Sequence, residues 1–151
     1  MNEFMRAAID EARNGIYKKE GGPFGSVVVK DGQVVGKGHN QVVLNNDPTC
    51  HGEMQAIRNA CKTLNTFDLS GCELYTTGEP CPMCLAACMW ANVKKVYFGC
   101  TIADNADIGF RDEVFYKTLR VTPSEGFLQE LDREECKKLF EEYKTLDKTA
   151  Y

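Results

Sequence analysis

The segment Cys72-Glu73-Leu74-Tyr75-Thr76-Thr77-Gly78-Glu79-Pro80-Cys81-Pro82-Met83-Cys84 changes character twice. Residues 72–77 have the composition of a strand, Gly78-Glu79-Pro80 breaks it, and Cys81 opens a helix expected to reach about Ala91. Leu85 to Trp90 is apolar nearly all round, so that helix is expected to be fully buried. Val93 to Gly99 again reads as a strand. A strand, a break, a helix and a second strand are the beginning of a layered α/β arrangement.

Reading upstream, Ser26–Lys30 and Gln33–Val35 are two strands joined by a tight Asp31-Gly32 turn. Gly21-Gly22-Pro23-Phe24-Gly25 is a breaker cluster before them. Phe4, Met5, Ala8, Ile9 and Ala12 place an amphipathic helix over the first fifteen residues. The polar segment from His39 to Thr49 reads as a loop, and Asp47-Pro48-Thr49 signals a helix over His51 to about Leu64. Downstream, residues 101–127 give no clear pattern. A last helix follows, with Asp132 and Glu135 spaced as a capping box and Leu131 and Cys136 as a hydrophobic staple. Helices interleaved with short strands predict one α/β domain over residues 1–151, with helices on both faces of a single sheet.

Composition narrows the function. The 151 residues carry a net charge of −4, with 43% hydrophobic and 26% charged residues, as in an ordinary globular chain. The acidic balance weighs against nucleic acid as the main partner. No stretch approaches the ~20 apolar residues of a membrane span, and no targeting segment is recognised, so a cytoplasmic location is expected. Eight cysteines in such a chain are expected as metal ligands and small buried hydrophobes rather than as a disulfide framework.

Cys81 and Cys84 are three apart at a helix start, so both thiols can point to one side, and the positive helix end favours their thiolate forms. His51 also begins a helix, and Glu53, two residues on, splays away from it. Two cysteines and one histidine make three ligands for one zinc ion, leaving the fourth tetrahedral position to water. Zinc lowers the pKa of such water from ~15.7 towards ~7. A carboxylate beside it, here Glu53, is the group needed to collect and deliver the proton. Other readings stand beside this one. Cys50, Cys88 or His39 as a fourth ligand makes a closed structural zinc and a non-catalytic interaction module; Cys81 and Cys84 alone make a redox pair; Glu53 alone is a carboxylate at a helix N-terminus. Cys88 is expected to point into the core and Cys50 away from His51.

His-x-Glu followed by Pro-Cys-x-x-Cys is the signature of the zinc deaminases, and with it the chain resembles the cytidine-deaminase-like superfamily. It is most similar to the small bacterial guanine deaminases within it. That likeness is carried by Gly21–Gly25, Asn45-Asn46-Asp47-Pro48-Thr49, Glu79–Cys84, Ala106 to Tyr116 and the terminal Tyr151, with Gly109-Phe110-Arg111-Asp112 and Tyr151 pointing to the guanine branch. It implies a three-layer α/β/α sandwich around a five-stranded mixed sheet, and a homodimer that exchanges C-terminal segments. It implies one zinc per subunit and a small purine base as the partner. Phe24 is implied to stack on the purine, Asn40 to hydrogen-bond its edge, and Asp112 to accept from the amino and ring N–H groups. Tyr151, from the partner subunit, is implied to close the pocket. Gly52 stands where the family has alanine and is expected to let substrate approach the backbone or to enlarge the pocket. The activity implied is hydrolysis of guanine to xanthine and ammonia. A tRNA adenosine deaminase and deaminases of guanosine or of an aminotriazine such as ammeline are the alternatives.

Overall fold

The computed structural model describes every residue except Ser124. Alternation along the strands builds the layers. On β1 (Gly25–Lys30), Val28 joins Leu74 of β3 (Glu73–Gly78) and Val96 of β4 (Lys95–Cys100) in one core. Val27 and Val29 join Tyr75 on the opposite side. With β2 (Gln33–His39) and β5 (Leu128–Glu130) the sheet has the order β2-β1-β3-β4-β5. β1 runs antiparallel to β2 and β3, whereas β3, β4 and β5 are parallel. Helices α1 (Glu3–Tyr17) and α7 (Arg133–Thr145) cover one face. On the other lie α3 (Gly52–Leu64) and α4 (Pro82–Trp90). The three-layer α/β/α sandwich with a five-stranded mixed sheet is therefore the fold.

One close packing fixes α3, the helix that opens beside His51. Gly36 lies directly against Ala56 and Ala60: a Cβ on Gly36 would come within 2.5 Å of the Ala60 nitrogen and 2.6 Å of the Ala56 oxygen. Small residues on both elements let strand and helix backbones touch. The pairing of β1 with β2 slips between Val28 and Val29, a bulge that leaves Val35 as the extra residue. The Asp31-Gly32 turn has positive φ at both residues, as a two-residue hairpin requires.

Several sequence expectations change. β2 extends to His39, and the segment read as a loop contains a short helix, α2 (Val42–Asn45). The unassigned region holds α5 (Ile102–Asp107) and α6 (Asp112–Leu119). α4 is not fully buried. Cys84, Leu85 and Cys88 enter the core, but Met89 is 61% and Trp90 87% exposed, because they lie on the face of the helix turned away from the sheet. The capping box at Asp132 does not form. Asp132 adopts a left-handed backbone (φ 54°) and its carboxylate accepts from the Asn2 N–H at 3.0 Å. Leu131 still packs against the cluster that contains Cys136, so the staple remains without the box. The capping box that does form joins Thr101 and Asp104 at the start of α5. Asp104 also takes a two-pronged bond from Arg133 (2.7 and 2.8 Å), which holds its carboxyl down at about 2 and ties α5 to α7.

His39 is buried between two carboxylates, with Nδ1 2.8 Å from Glu11 and Nε2 2.5 Å from Glu20. Both ring nitrogens must donate, so the imidazolium is favoured. The Glu11 hydrogen bond, followed by that to Glu20, raises the pKa above its ordinary 6.5 despite burial.

Two consequences are measurable. Gly36→Ala should cost about 1–3 kcal/mol in urea unfolding, because α3 must be displaced. A raised histidine pKa stabilises below pH 6.5 and loses that contribution as pH climbs through the folded value. The stability gap between wild type and His39→Gln should therefore be larger at pH 6 than at pH 9.

Candidate active site

Two helix starts meet at one point. His51 is the residue that caps α3, with extended backbone (φ −71°, ψ 159°), and Cys81 caps α4 in nearly the same conformation (φ −66°, ψ 167°). Pro82 at the first helical position suits a site where no N–H is needed. Cys84 follows in the first turn of α4. His51 Nδ1 lies 3.6 Å from Cys81 Sγ and 3.5 Å from Cys84 Sγ, and the three form the ligand cluster found among the described residues. Zn–S bonds of about 2.3 Å and Zn–N bonds of about 2.0–2.1 Å at tetrahedral angles put sulfur and nitrogen roughly 3.5–3.6 Å apart. The donor set and its spacing fit one zinc ion.

The proposed fourth ligands are engaged elsewhere. Cys50 Sγ faces Asn45 Nδ2 at 3.6 Å and Arg58, away from His51. His39 sits between its two glutamates, and Cys88 is buried in the sheet-facing core. A hydrogen bond from the Cys84 thiol, reinforced by His51, holds the Cys81 thiol at about 4, while Cys84 is pushed up. Burial opposes the charge on His51, but the Cys81 thiolate outweighs it and its pKa rises.

Glu53, in the first turn of α3, is only 5% exposed. Ser26 Oγ lies 3.5 Å from its carboxylate and donates to Thr76 Oγ1 at 2.9 Å, and the Cys84 thiol also hydrogen-bonds the carboxylate. Burial and the Cys81 thiolate push its carboxyl up to about 7. A carboxyl so placed can hold or release a proton near neutrality.

Glu53 lines a cavity of about 510 Å³, counting its open mouth, together with His51, Cys81, Phe24, Asn40, Asp112 and Tyr151. Phe24 is aimed by the polar ends of β1 and β3: Thr77 Oγ1 accepts from Gly25 N–H and donates to Pro23 O. Its ring meets Phe110 edge-on at 4.8 Å. Asn40 is buried and its Oδ1 accepts from Val42 N–H, but its Nδ2 donates to none of the described residues. Asp112 begins α6, and burial followed by the Cys81 charge pushes it up to about 6. Tyr151 reaches the cavity of its own chain: its hydroxyl accepts from Gly22 N–H at 2.9 Å and its ring packs on Phe110.

Gly52 is placed differently from the expectation of a larger pocket. It does not line the cavity, and a Cβ there would lie 2.8 Å from the Phe24 carbonyl oxygen. That carbonyl accepts from Asn40 N–H, so glycine lets α3 approach the strand that carries Phe24. Glu79, Phe110, Arg111 and Phe115 also line the cavity and were not singled out as site residues from sequence. Phe110 and Arg111 carried a signal, since both belong to the Gly109–Asp112 motif. Tyr116, whose hydroxyl donates to Pro80 O, lies in the Ala106–Tyr116 stretch, whereas Asn105, which donates to Asp112, carried no signal.

The chain is similar to several known deaminases. The guanine deaminase of Bacillus subtilis is 47% identical over 116 residues, covering 77% of this chain and 74% of that protein. The crystal structure of guanine deaminase from Bacillus subtilis matches with a TM-score of 0.76 and 38% identity, over 100% of this chain and 99% of that one. The tRNA-specific adenosine deaminase of Aquifex aeolicus is 46% identical over 95 residues, 63% of this chain and 62% of that protein. Residues 1–100, which include all three zinc-cluster residues, match the model of the cytidine and deoxycytidylate deaminase zinc-binding region, and the chain belongs to that family.

Proposed function

We propose that this chain catalyses the zinc-dependent hydrolysis of guanine to xanthine and ammonia. The observation that carries this reading is the lining of the cavity: a free amide donor on Asn40 and a carboxylate on Asp112 stand on its walls, with the buried Glu53 beside the ligand cluster. A flat base held between apolar faces needs only a few polar groups to fix its orientation. Phe24 and Tyr151 supply the faces, Asn40 Nδ2 donates to the ring edge, and Asp112 accepts from the amino and ring N–H groups.

His51, Cys81 and Cys84 hold the zinc, which when bound supplies acidification of water to near neutrality. Glu53 does the proton work. It takes a proton from water and delivers it to ring N3, which makes C2 electrophilic; the water oxygen bonds to C2, and Glu53 carries the second proton from the hydroxyl so formed to the amino group, whose bond to C2 breaks to release ammonia. A pKa near neutrality suits a group that must both accept and donate. The relative in Bacillus subtilis named for guanine covers more of this chain than those named for tRNA, which supports the base over the nucleic acid. So do the net charge of −4 and the roof formed by Tyr151 and Phe110.

The subunit is further read as half of a cytoplasmic homodimer. Eight free cysteines accord with a reducing compartment. The exposed Met89, Trp90 and Leu119 offer apolar surface for a second copy. Exchange of C-terminal segments rests on the family resemblance.

Glu53→Gln should keep one zinc per chain by elemental analysis and lower turnover of guanine by at least a thousandfold; an active variant contradicts the assignment. Deleting residues 147–151 should cut guanine turnover about tenfold or more and raise the guanosine-to-guanine rate ratio, measured as ammonia release. An unchanged ratio removes the tail from specificity. The same assay with ammeline and adenosine-bearing tRNA decides between the base and its rivals.

A further inference from the structure

Asn105 lies on α5, completely buried, outside the set of groups used above. Its Nδ2 donates twice: to the Glu79 carbonyl oxygen at 3.2 Å and to Asp112 Oδ2 at 3.1 Å. Glu79 stands two residues before Cys81, and Asp112 is the first residue of α6. One amide group therefore bridges the loop that delivers a zinc ligand and the helix start that delivers the carboxylate.

The other half of this amide is unusual. Asn105 Oδ1 is the one buried side-chain polar atom among the described residues that has no hydrogen-bond partner. Leaving such an acceptor unpaired costs about 1–3 kcal/mol, whereas an apolar side chain of the same shape avoids the cost. Reversing the amide does not help, since it would set Oδ1 against two acceptor oxygens. The oxygen instead sits above Gly78, where a Cβ would come within 3.0 Å of it and within 3.0 Å of the Phe24 ring. The missing side chain at Gly78 makes room for both groups and holds the carbonyl away from Asp112. Packing alone does not call for an asparagine here.

We infer that Asn105 is a positioning residue for the substrate carboxylate: its amide clamps Asp112 Oδ2 to the Cys81 loop and aims the carboxylate into the cavity at the paired N–H groups of a guanine-like base. Asp112 makes no other side-chain hydrogen bond among the described residues. Without the clamp it is free to rotate about χ1 and χ2, and the ordering must then be supplied on binding. This inference rests on the guanine reading above.

The test is calorimetric binding of the guanine analogue 8-azaguanine to zinc-loaded protein, for wild type, Asn105→Leu, Asp112→Ala and the double variant. Asn105→Leu keeps the volume and removes both the donor and the orphan oxygen; its Tm should equal or exceed that of wild type, and zinc content should stay at one per chain. Its affinity should fall about tenfold, and by less than twofold when Asp112 is already alanine. Asn105→Ala serves in the same cycle if the leucine variant does not fold. A loss below twofold when Asp112 is intact, or an equal loss with and without Asp112, overturns the positioning role. Wild type that fails to bind 8-azaguanine at all overturns instead the guanine reading.

Discussion

Everything in this site depends on two helices beginning at the same place. The first residues of α3 and α4 bring His51 Nδ1 within 3.6 Å of both cysteine sulfurs, and the positive ends of the two helices face the cluster. That arrangement makes thiolate affordable in a largely buried setting. It also places Glu53, in the first turn of α3, in the same interior. The contact that holds α3 so close is Gly36 on Ala56 and Ala60, far from any chemistry. A methyl group at that strand position moves the helix, and with it a ligand and the proton carrier together.

The site also shows how polar groups are tolerated inside an apolar layer. On β1 and β3 the residues facing α3 begin as Val28 and Leu74, and become Ser26 and Thr76 two positions along. The period of two carries the same face from core to active site. Ser26 and Thr76 hydrogen-bond each other, and burial beside the Cys81 thiolate outweighs the hydrogen bonds that Glu53 accepts, so its carboxyl stays near neutrality in pKa instead of being locked as an anion. The opposite choice is made at Asp104, where Arg133 and the Thr101 backbone hold the carboxyl at about 2 for structure alone.

Much of this was legible in the sequence because it rests on local spacing. Cys-x-x-Cys at a helix start, His-x-Glu at another, and alternating valines beside an Asp-Gly turn each need only a few neighbouring residues to be read. What failed depended on the third dimension. Asp132 has the spacing of a capping box, but its backbone turns left-handed to reach Asn2, 130 positions away in the chain. Met89 and Trp90 look like core, yet both are exposed on the outer face of α4. Gly52 suggested extra space in the pocket, whereas the Phe24 carbonyl lies where its side chain would be. Asn105 resembles any helical asparagine until its two partners, at Glu79 and Asp112, are brought beside it.

The central claim is that water oxygen replaces the 2-amino group of a guanine base at this cluster, with Glu53 moving the protons. Its most direct measurement is mass spectrometry of the product after zinc-loaded protein acts on guanine in ¹⁸O-labelled water. Xanthine carrying one ¹⁸O atom is expected, with one ammonia released for each molecule formed. Guanine recovered intact, or a product without the label, contradicts it.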